Sequence, residues 1–109
     1  MEQIDIYKLL DWMRDNAEKL AISQAEYNHL SDYRSVVKAQ QMARSDATSA
    51  AAQERDAYCS EAYIDHLKVI EMAETNYLRL KFLMQTAQAK VDCWRSLSAS
   101  ARQEGKNVT

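Results

Sequence analysis

The chain has 109 residues, 47% of them hydrophobic and 28% charged, and a formal net charge of −2. That length and composition are typical of a folded protein with one domain, here residues 1–109, and exclude a larger number of domains. No apolar run approaches the about 20 residues of a membrane span, and the N-terminus is acidic where a secretory signal is basic. The sequence therefore predicts a cytoplasmic protein without membrane contact.

Residues that interrupt helices are almost absent from the chain. It contains no proline, and its only glycine is Gly105. Because these two residue types are the strongest interrupters of regular backbone, the sequence predicts an all-α protein. Cys59 and Cys93 match no ligand spacing, so we expect reduced, half-buried thiols.

The first segment has one long helical pattern of apolar residues. The pattern begins with Ile6, Leu9, Leu10, Met13, Ala17 and Leu20 and continues to Val37. It predicts one helix over about residues 3–43, because no interrupter falls within it. Ser23 and Glu26 have the spacing of a capping box, so a new helix that begins at Ser23 is the alternative.

The middle of the chain contains two candidate breaks. Ser45–Ser49 has the short polar side chains that compete with helical hydrogen bonds, and it predicts a loop. The alanines that follow favour a short helix over about residues 49–57. We expect a second break at Tyr58–Ser60, where Ser60 is a suitable N-cap for the next helix.

The last helix, predicted over about residues 61–103, carries the clearest pattern. Nine of the ten residues on its seven-residue repeat are apolar or aromatic, which is typical of a coiled-coil seam. These positions are Tyr63, His66, Ile70, Ala73, Tyr77, Leu80, Met84, Ala87, Val91 and Trp94. We expect His66 to be half-buried with its hydrogen bonds satisfied, Gly105 to end the helix, and residues 105–109 to fray. The predicted fold is an elongated antiparallel helical hairpin with a short intervening helix and coiled-coil-like packing.

Residues 77–84 are apolar on all sides of this helix rather than along one stripe. A single antiparallel partner helix covers only one stripe, so Leu78, Phe82 and Leu83 need a second neighbour. We therefore predict a homo-oligomer, a dimer or higher, with these three residues at its interface.

Charge is distributed unevenly along the chain. Residues 1–75 hold eight Lys/Arg against fourteen Asp/Glu, whereas residues 76–109 hold six against two. A basic C-terminal segment suits a nucleic acid or an acidic protein partner. The candidate contact residues are Arg79, Lys81, Lys90, Arg95 and Arg102. The interpretation that we favour is that this basic segment lies beside the acidic N-terminal segment of the same chain, because a basic patch alone creates only a potential.

No constellation of catalytic or metal-binding residues is recognisable. A chain with one glycine has no glycine-rich phosphate loop, and His29 and His66 are too far apart for a metal pair on one helical turn. The sequence therefore predicts no enzyme activity, no metal, no cofactor and no small-molecule substrate.

Three stretches have a recognisable family pattern: AAAQERDAY at residues 50–58, YIDHL at 63–67 and AQAKVDCWRS at 87–96. They resemble the AAAQER-x-AY, Y-x-x-HL and AQA-x-[IV]-x-x-WRS motifs of a family of small all-helical proteins encoded by tailed bacteriophages and prophages. The likeness covers most of residues 48–102 and extends more weakly to the first helix. It departs at Ser60 and Glu61, where many members carry a proline. The resemblance implies an early-region protein encoded near recombination and single-strand annealing functions, and it transfers no functional residue.

These observations predict a non-enzymatic phage accessory protein that acts by binding in the host cytoplasm. Its predicted target is a recombination or replication protein, or the DNA on which such a protein works. One alternative is an inhibitor of a host nuclease or defence complex, with the acidic N-terminal face as a decoy for nucleic acid. Another is a structural or assembly oligomer.

Overall fold

The computed structural model describes residues 5–107, and in this range it contains helices and no strand. The helices are α1 (Ile6–Asp32), α2 (Arg34–Ala43), α3 (Ala50–Tyr58) and α4 (Glu61–Asn107). This arrangement confirms the all-α helical hairpin. The chain divides into two compact units: unit 1, described over residues 5–20 and 79–107, and unit 2, residues 21–78.

In unit 1, α1 presents one stripe to α4. The half-buried residues of this stripe follow alternating three- and four-residue steps and are Ile6, Leu9, Met13, Asn16 and Leu20. Leu10 and Ala17, which belonged to the apolar pattern, are exposed instead, and Leu10 is 46% exposed. Asn16 is compatible with the stripe because its Nδ2 donates a hydrogen bond to the carbonyl oxygen of Trp12 at 2.8 Å.

The α4 stripe of unit 1 follows the predicted seven-residue repeat. Leu80 and Met84 are half-buried, and Ala87 and Val91 are 4% and 6% exposed. Trp94, at the end of the stripe, is 38% exposed. Two facing stripes with this repeat pack as in a coiled coil. The coiled-coil-like packing is therefore confirmed in this unit.

In unit 2, the remaining parts of α1 and α4 pack in the same way. The rings of Tyr27 and Tyr77 stack with their centroids 5.9 Å apart. Ile70 is 9% exposed, and Ser23 is 3% exposed within an uninterrupted helix. The alternative in which a new helix begins at Ser23 is therefore not adopted. A hydrogen bond from the Tyr27 hydroxyl to the Glu74 carboxylate raises the pKa of Tyr27 above its usual 10.0, and the negative charge of Glu74 adds to this effect.

The predicted single helix over residues 3–43 is wrong, because the helix is interrupted at Tyr33. The Nε2 atom of His66, on α4, lies 2.8 Å from the carbonyl oxygen of Leu30. A carbonyl oxygen only accepts, so Nε2 carries the hydrogen and donates it. Leu30 is in the last turn of α1, where carbonyls lack intrahelical partners. A side chain that enters the backbone hydrogen-bond ladder in this way is a known cause of helix kinks, and it explains the break.

The two other predicted breaks are confirmed. The Ser49 hydroxyl accepts a hydrogen bond from the backbone N–H of Ala52, and the Ser60 hydroxyl accepts one from that of Tyr63, both at 3.2 Å. These serines are thus the N-caps of α3 and α4. In the loop before α3, the Ser45 hydroxyl donates to Asp56 Oδ2 at 2.6 Å.

Two expectations near the surface are wrong. Helix α4 continues to Asn107, so Gly105 lies within the helix and does not end it. Gly105 has no positive φ, and it is exposed, so its lack of a side chain leaves no gap in a core. Residues 108 and 109 of the predicted frayed tail lie outside the described residues. Cys59 and Cys93 are exposed rather than half-buried.

Candidate functional site

The surface of α4 in unit 1 exposes large apolar side chains. Phe82 is 57% exposed, Leu83 44% and Leu97 55%. Leu83 and Leu97 are separated by two seven-residue steps, and Lys90 is the step between them. Because seven residues make about two helical turns, these three side chains lie on one side of the helix.

Arg79 lies four residues before Leu83 and three before Phe82, so it belongs to the same side of α4. We define the α4 face of unit 1 as Arg79, Phe82, Leu83, Lys90 and Leu97, all of them exposed. It combines three apolar side chains with two cations, and Glu104, seven residues after Leu97, is the one carboxylate on this side of α4 in unit 1. Such a surface can bury apolar area against a partner and attract negative charge at the same time.

The five predicted contact cations do not form one patch. Lys81, Arg95 and Arg102 are spaced by multiples of seven residues and form a second row along α4. At about 100° per residue, Arg95 is turned about 140° away from Lys90. Lys81 is half-buried, and Arg95 lies 4.0 Å from the carboxylate of Asp92. Of the five predicted contact cations, the α4 face therefore contains only Arg79 and Lys90.

The three predicted interface residues also differ in their surroundings. Leu78 is half-buried and belongs to unit 2, whereas Phe82 and Leu83 are exposed in unit 1. The role of these residues in an oligomer stays a prediction. Leu97 was missed because the prediction concentrated on a local excess of apolar residues. The feature that could have identified Leu97 is its position seven residues after Lys90 and fourteen after Leu83.

A separate cluster of polar side chains joins α2 to α3 in unit 2. Lys38 Nζ donates to Glu54 Oε1 at 3.0 Å and lies 4.8 Å from the centre of the Tyr58 ring. Tyr58 in turn meets the edge of Tyr63, with centroids 5.2 Å apart. All four residues take part in contacts between helices, so we assign the cluster a structural role.

The electrostatics of this cluster are mutually favourable. A hydrogen bond from Lys38, and to a smaller extent one from Tyr58, holds the pKa of Glu54 below its usual 4.5. Hydrogen bonds to Tyr58 and then Glu54 raise the pKa of Lys38 above its usual 10.5. Both side chains are therefore charged at neutral pH.

Replacing Glu54 with glutamine is expected to reduce the acid sensitivity of folding. Because the folded-state pKa of Glu54 is lowered, its carboxylate stabilises the fold above the unfolded value of 4.5, and this contribution is lost as the pH falls through the folded-state pKa. We expect the urea midpoint of the wild type to exceed that of Glu54→Gln at neutral pH and the two to converge in acid. A constant difference between the two midpoints at every pH would contradict the assignment.

The histidines show no arrangement for metal chemistry. The rings of His29 and Tyr33, and those of Tyr33 and His66, have centroids 6.0 Å apart. His66 is half-buried and bonded to Leu30, as expected. Within residues 5–107, no three His, Cys, Asp or Glu side chains are grouped so that they could hold a metal ion.

The helices within the described range lack any stretch long and apolar enough to cross a membrane. Comparisons of the chain with models of known protein families, with curated proteins and with solved structures found no match. The resemblance to phage proteins consequently stays a prediction.

Proposed function

We propose that the protein is a non-enzymatic accessory protein that acts by binding. Its proposed target is a phage recombination or replication protein, or the DNA on which such a protein works. The observation that carries the proposal is the α4 face of unit 1, where three exposed apolar side chains accompany Arg79 and Lys90. The resemblance to early-region phage proteins supports the choice of target.

The chemistry of the α4 face favours a protein target over bare DNA. Leu83 and Leu97 are aliphatic and cannot stack on bases, and the one aromatic residue of the face is Phe82. Nucleic-acid interfaces are strongly cationic, whereas this face has only two cations. Apolar side chains beside isolated charges are typical of protein interfaces, in which the apolar groups supply affinity and the charges supply orientation.

Replacing Leu83 and Leu97 with glutamate is expected to abolish target binding. Leu83 is 44% and Leu97 55% exposed, and glutamate favours helix, so we expect the fold to be retained. Tagged wild type and variant would be purified from cells that express phage recombination and replication genes. Proteins that co-purify would be identified by mass spectrometry. A phage recombination or replication protein recovered with the wild type and lost with the variant would support the proposal.

The matched control places two glutamates elsewhere on α4. Gln85→Glu with Ala99→Glu changes the charge by the same amount at exposed positions away from the α4 face. It should recover the same protein as the wild type does. Equal recovery with both double variants would contradict the proposal, and specific loss of a host nuclease subunit would favour the inhibitor instead.

Direct DNA binding makes a separate prediction. If phosphates are bound, affinity for labelled single strands should fall steeply with salt. It should also respond to the second row of cations, through Arg95→Glu with Arg102→Glu. No complex with single strands at low salt would exclude DNA as the target, and a complex that persists at high salt would exclude binding through phosphates.

A further inference from the structure

The two compact units carry opposite net charge. Over its described residues, unit 1 has nine Lys/Arg against six Asp/Glu, whereas unit 2 has five against nine. The net side-chain charges are thus +3 and −4 at neutral pH. Surfaces of opposite sign attract and orient one another on encounter, and surfaces of the same sign repel.

Helix α4 also exposes a mixed apolar and charged surface in unit 2, but the charges there are mainly negative. We define the acidic face as Glu61, Ile64, Asp65, Glu71 and Met72, which helical spacing places within about 120° of the helix circumference. Ile64 is 42% exposed and Met72 72%. Lys68, on the same side, is the only cation of α4 in unit 2.

The acidic face and the α4 face of unit 1 both carry apolar side chains, and their charges are mainly of opposite sign. Each has apolar side chains at helical spacing, so contact between them would remove apolar area from water on both sides. Arg79 and Lys90 stand on the first face, and three carboxylates stand on the second. No ion pair within residues 5–107 involves Glu61, Asp65 or Glu71, so these carboxylates are available to a partner.

We propose that the partner is a second copy of this chain, and that the α4 face of unit 1 in one copy binds the acidic face of unit 2 in the other. The inference rests on the proposed function to the extent that both use the α4 face. A second copy of the chain would occupy the α4 face when no other target is bound to it. Association of two α4 faces, or of two acidic faces, would bring charges of the same sign together and is disfavoured.

Charge reversal tests this pairing. Variant A carries Arg79→Glu and Lys90→Glu, which make the α4 face acidic, and variant B carries Asp65→Lys and Glu71→Lys, which make the acidic face basic. The wild type should self-associate more tightly at low salt than at high salt. Each variant alone should lose self-association, because its two faces then have the same sign. A mixture of A and B should form a heterodimer, since each contact again joins opposite charges.

The measurement is the mass of the purified protein by light scattering after gel filtration, with one variant carrying a larger tag so that heterodimers are recognised. Circular dichroism would show that each variant keeps its helices. The matched controls are Arg95→Glu with Arg102→Glu in unit 1, and Glu26→Lys with Asp32→Lys in unit 2. Both should keep the mass of the wild type.

Two results would overturn the proposal: a wild type that stays monomeric at high concentration and low salt, or variants A and B that fail to associate when mixed. Because only this chain is present, neither result depends on whether another target exists. The two proposals can therefore fail separately. If Leu83→Glu with Leu97→Glu abolishes target binding while the wild type stays monomeric, the proposed function is supported and this inference is contradicted.

Discussion

Replacing Ala57 with leucine is expected to lower the free energy of unfolding by about 1–3 kcal/mol, the usual range for extra methylenes in a packed core. Ala57 is 0% exposed, and it lies in the last turn of α3, where its carbonyl oxygen accepts hydrogen bonds from the backbone N–H and the hydroxyl of Ser60. A larger side chain would force α3 away from its neighbours and disturb the cap of α4. Urea denaturation followed by circular dichroism measures the effect.

The control for this substitution is Ala51→Leu. Ala51 lies in the same helix but is exposed, so the added side chain enters solvent and leaves packing unchanged. We expect a change within about 0.5 kcal/mol, as for most surface positions. If the two leucine variants were equally stable, Ala57 would not be packed as described.

Replacing His66 with leucine is expected to cost about 1–3 kcal/mol, because the carbonyl oxygen of Leu30 loses the donor that satisfies it. The measured quantity is again the free energy of unfolding in urea. Exchange of backbone amide hydrogens around Tyr33 should also become faster, since the bond from Nε2 to Leu30 holds the end of α1 against α4.

Two further variants separate the hydrogen bond from general packing. His66→Gln keeps an N–H donor on a side chain of similar length, so it should recover part of the lost stability. His29→Leu removes an exposed ring whose centroid lies 6.0 Å from that of Tyr33, and it should change stability little. Equal destabilisation by His66→Gln and His66→Leu would contradict a role for the hydrogen bond.

Features that depend on neighbouring residues could be predicted from the sequence. The breaks at Ser45–Ser49 and Tyr58–Ser60 follow from serine hydroxyls that cap the next helix within three residues. The α4 seam follows from a repeat that is nearly all apolar. In both cases the physical cause lies inside a short window of the chain.

Features with a distant cause could not be predicted in this way. The break at Tyr33 results from His66, which is 36 residues from the carbonyl that it bonds. The stripe on α1 includes Asn16 and Ser23, which are polar and therefore cannot be recognised from an apolar pattern. Asn16 is accommodated by a hydrogen bond to its own helix, a detail that spacing does not reveal.

The candidate site was predictable in composition but not in arrangement. All five basic residues were recognised and lie within the predicted helix, but which of their two rows accompanies exposed apolar side chains depends on how α4 packs against α1 in unit 1. Lys90 and Arg95 are close in sequence and lie on different sides of α4. The sequence therefore identified the cations without identifying which of them accompany apolar neighbours.

The contacts between α2 and α3 have a consequence for the order of folding. Lys38 bonds to Glu54 across 16 residues and Ser45 to Asp56 across 11, whereas Tyr27 reaches Tyr77 across 50. Shorter loops cost less entropy to close, and local helical contacts form fastest. We therefore expect α2 and α3 to associate first as a nucleus that brings the ends of α1 and α4 together. The two long helices would then close from that end of their seam.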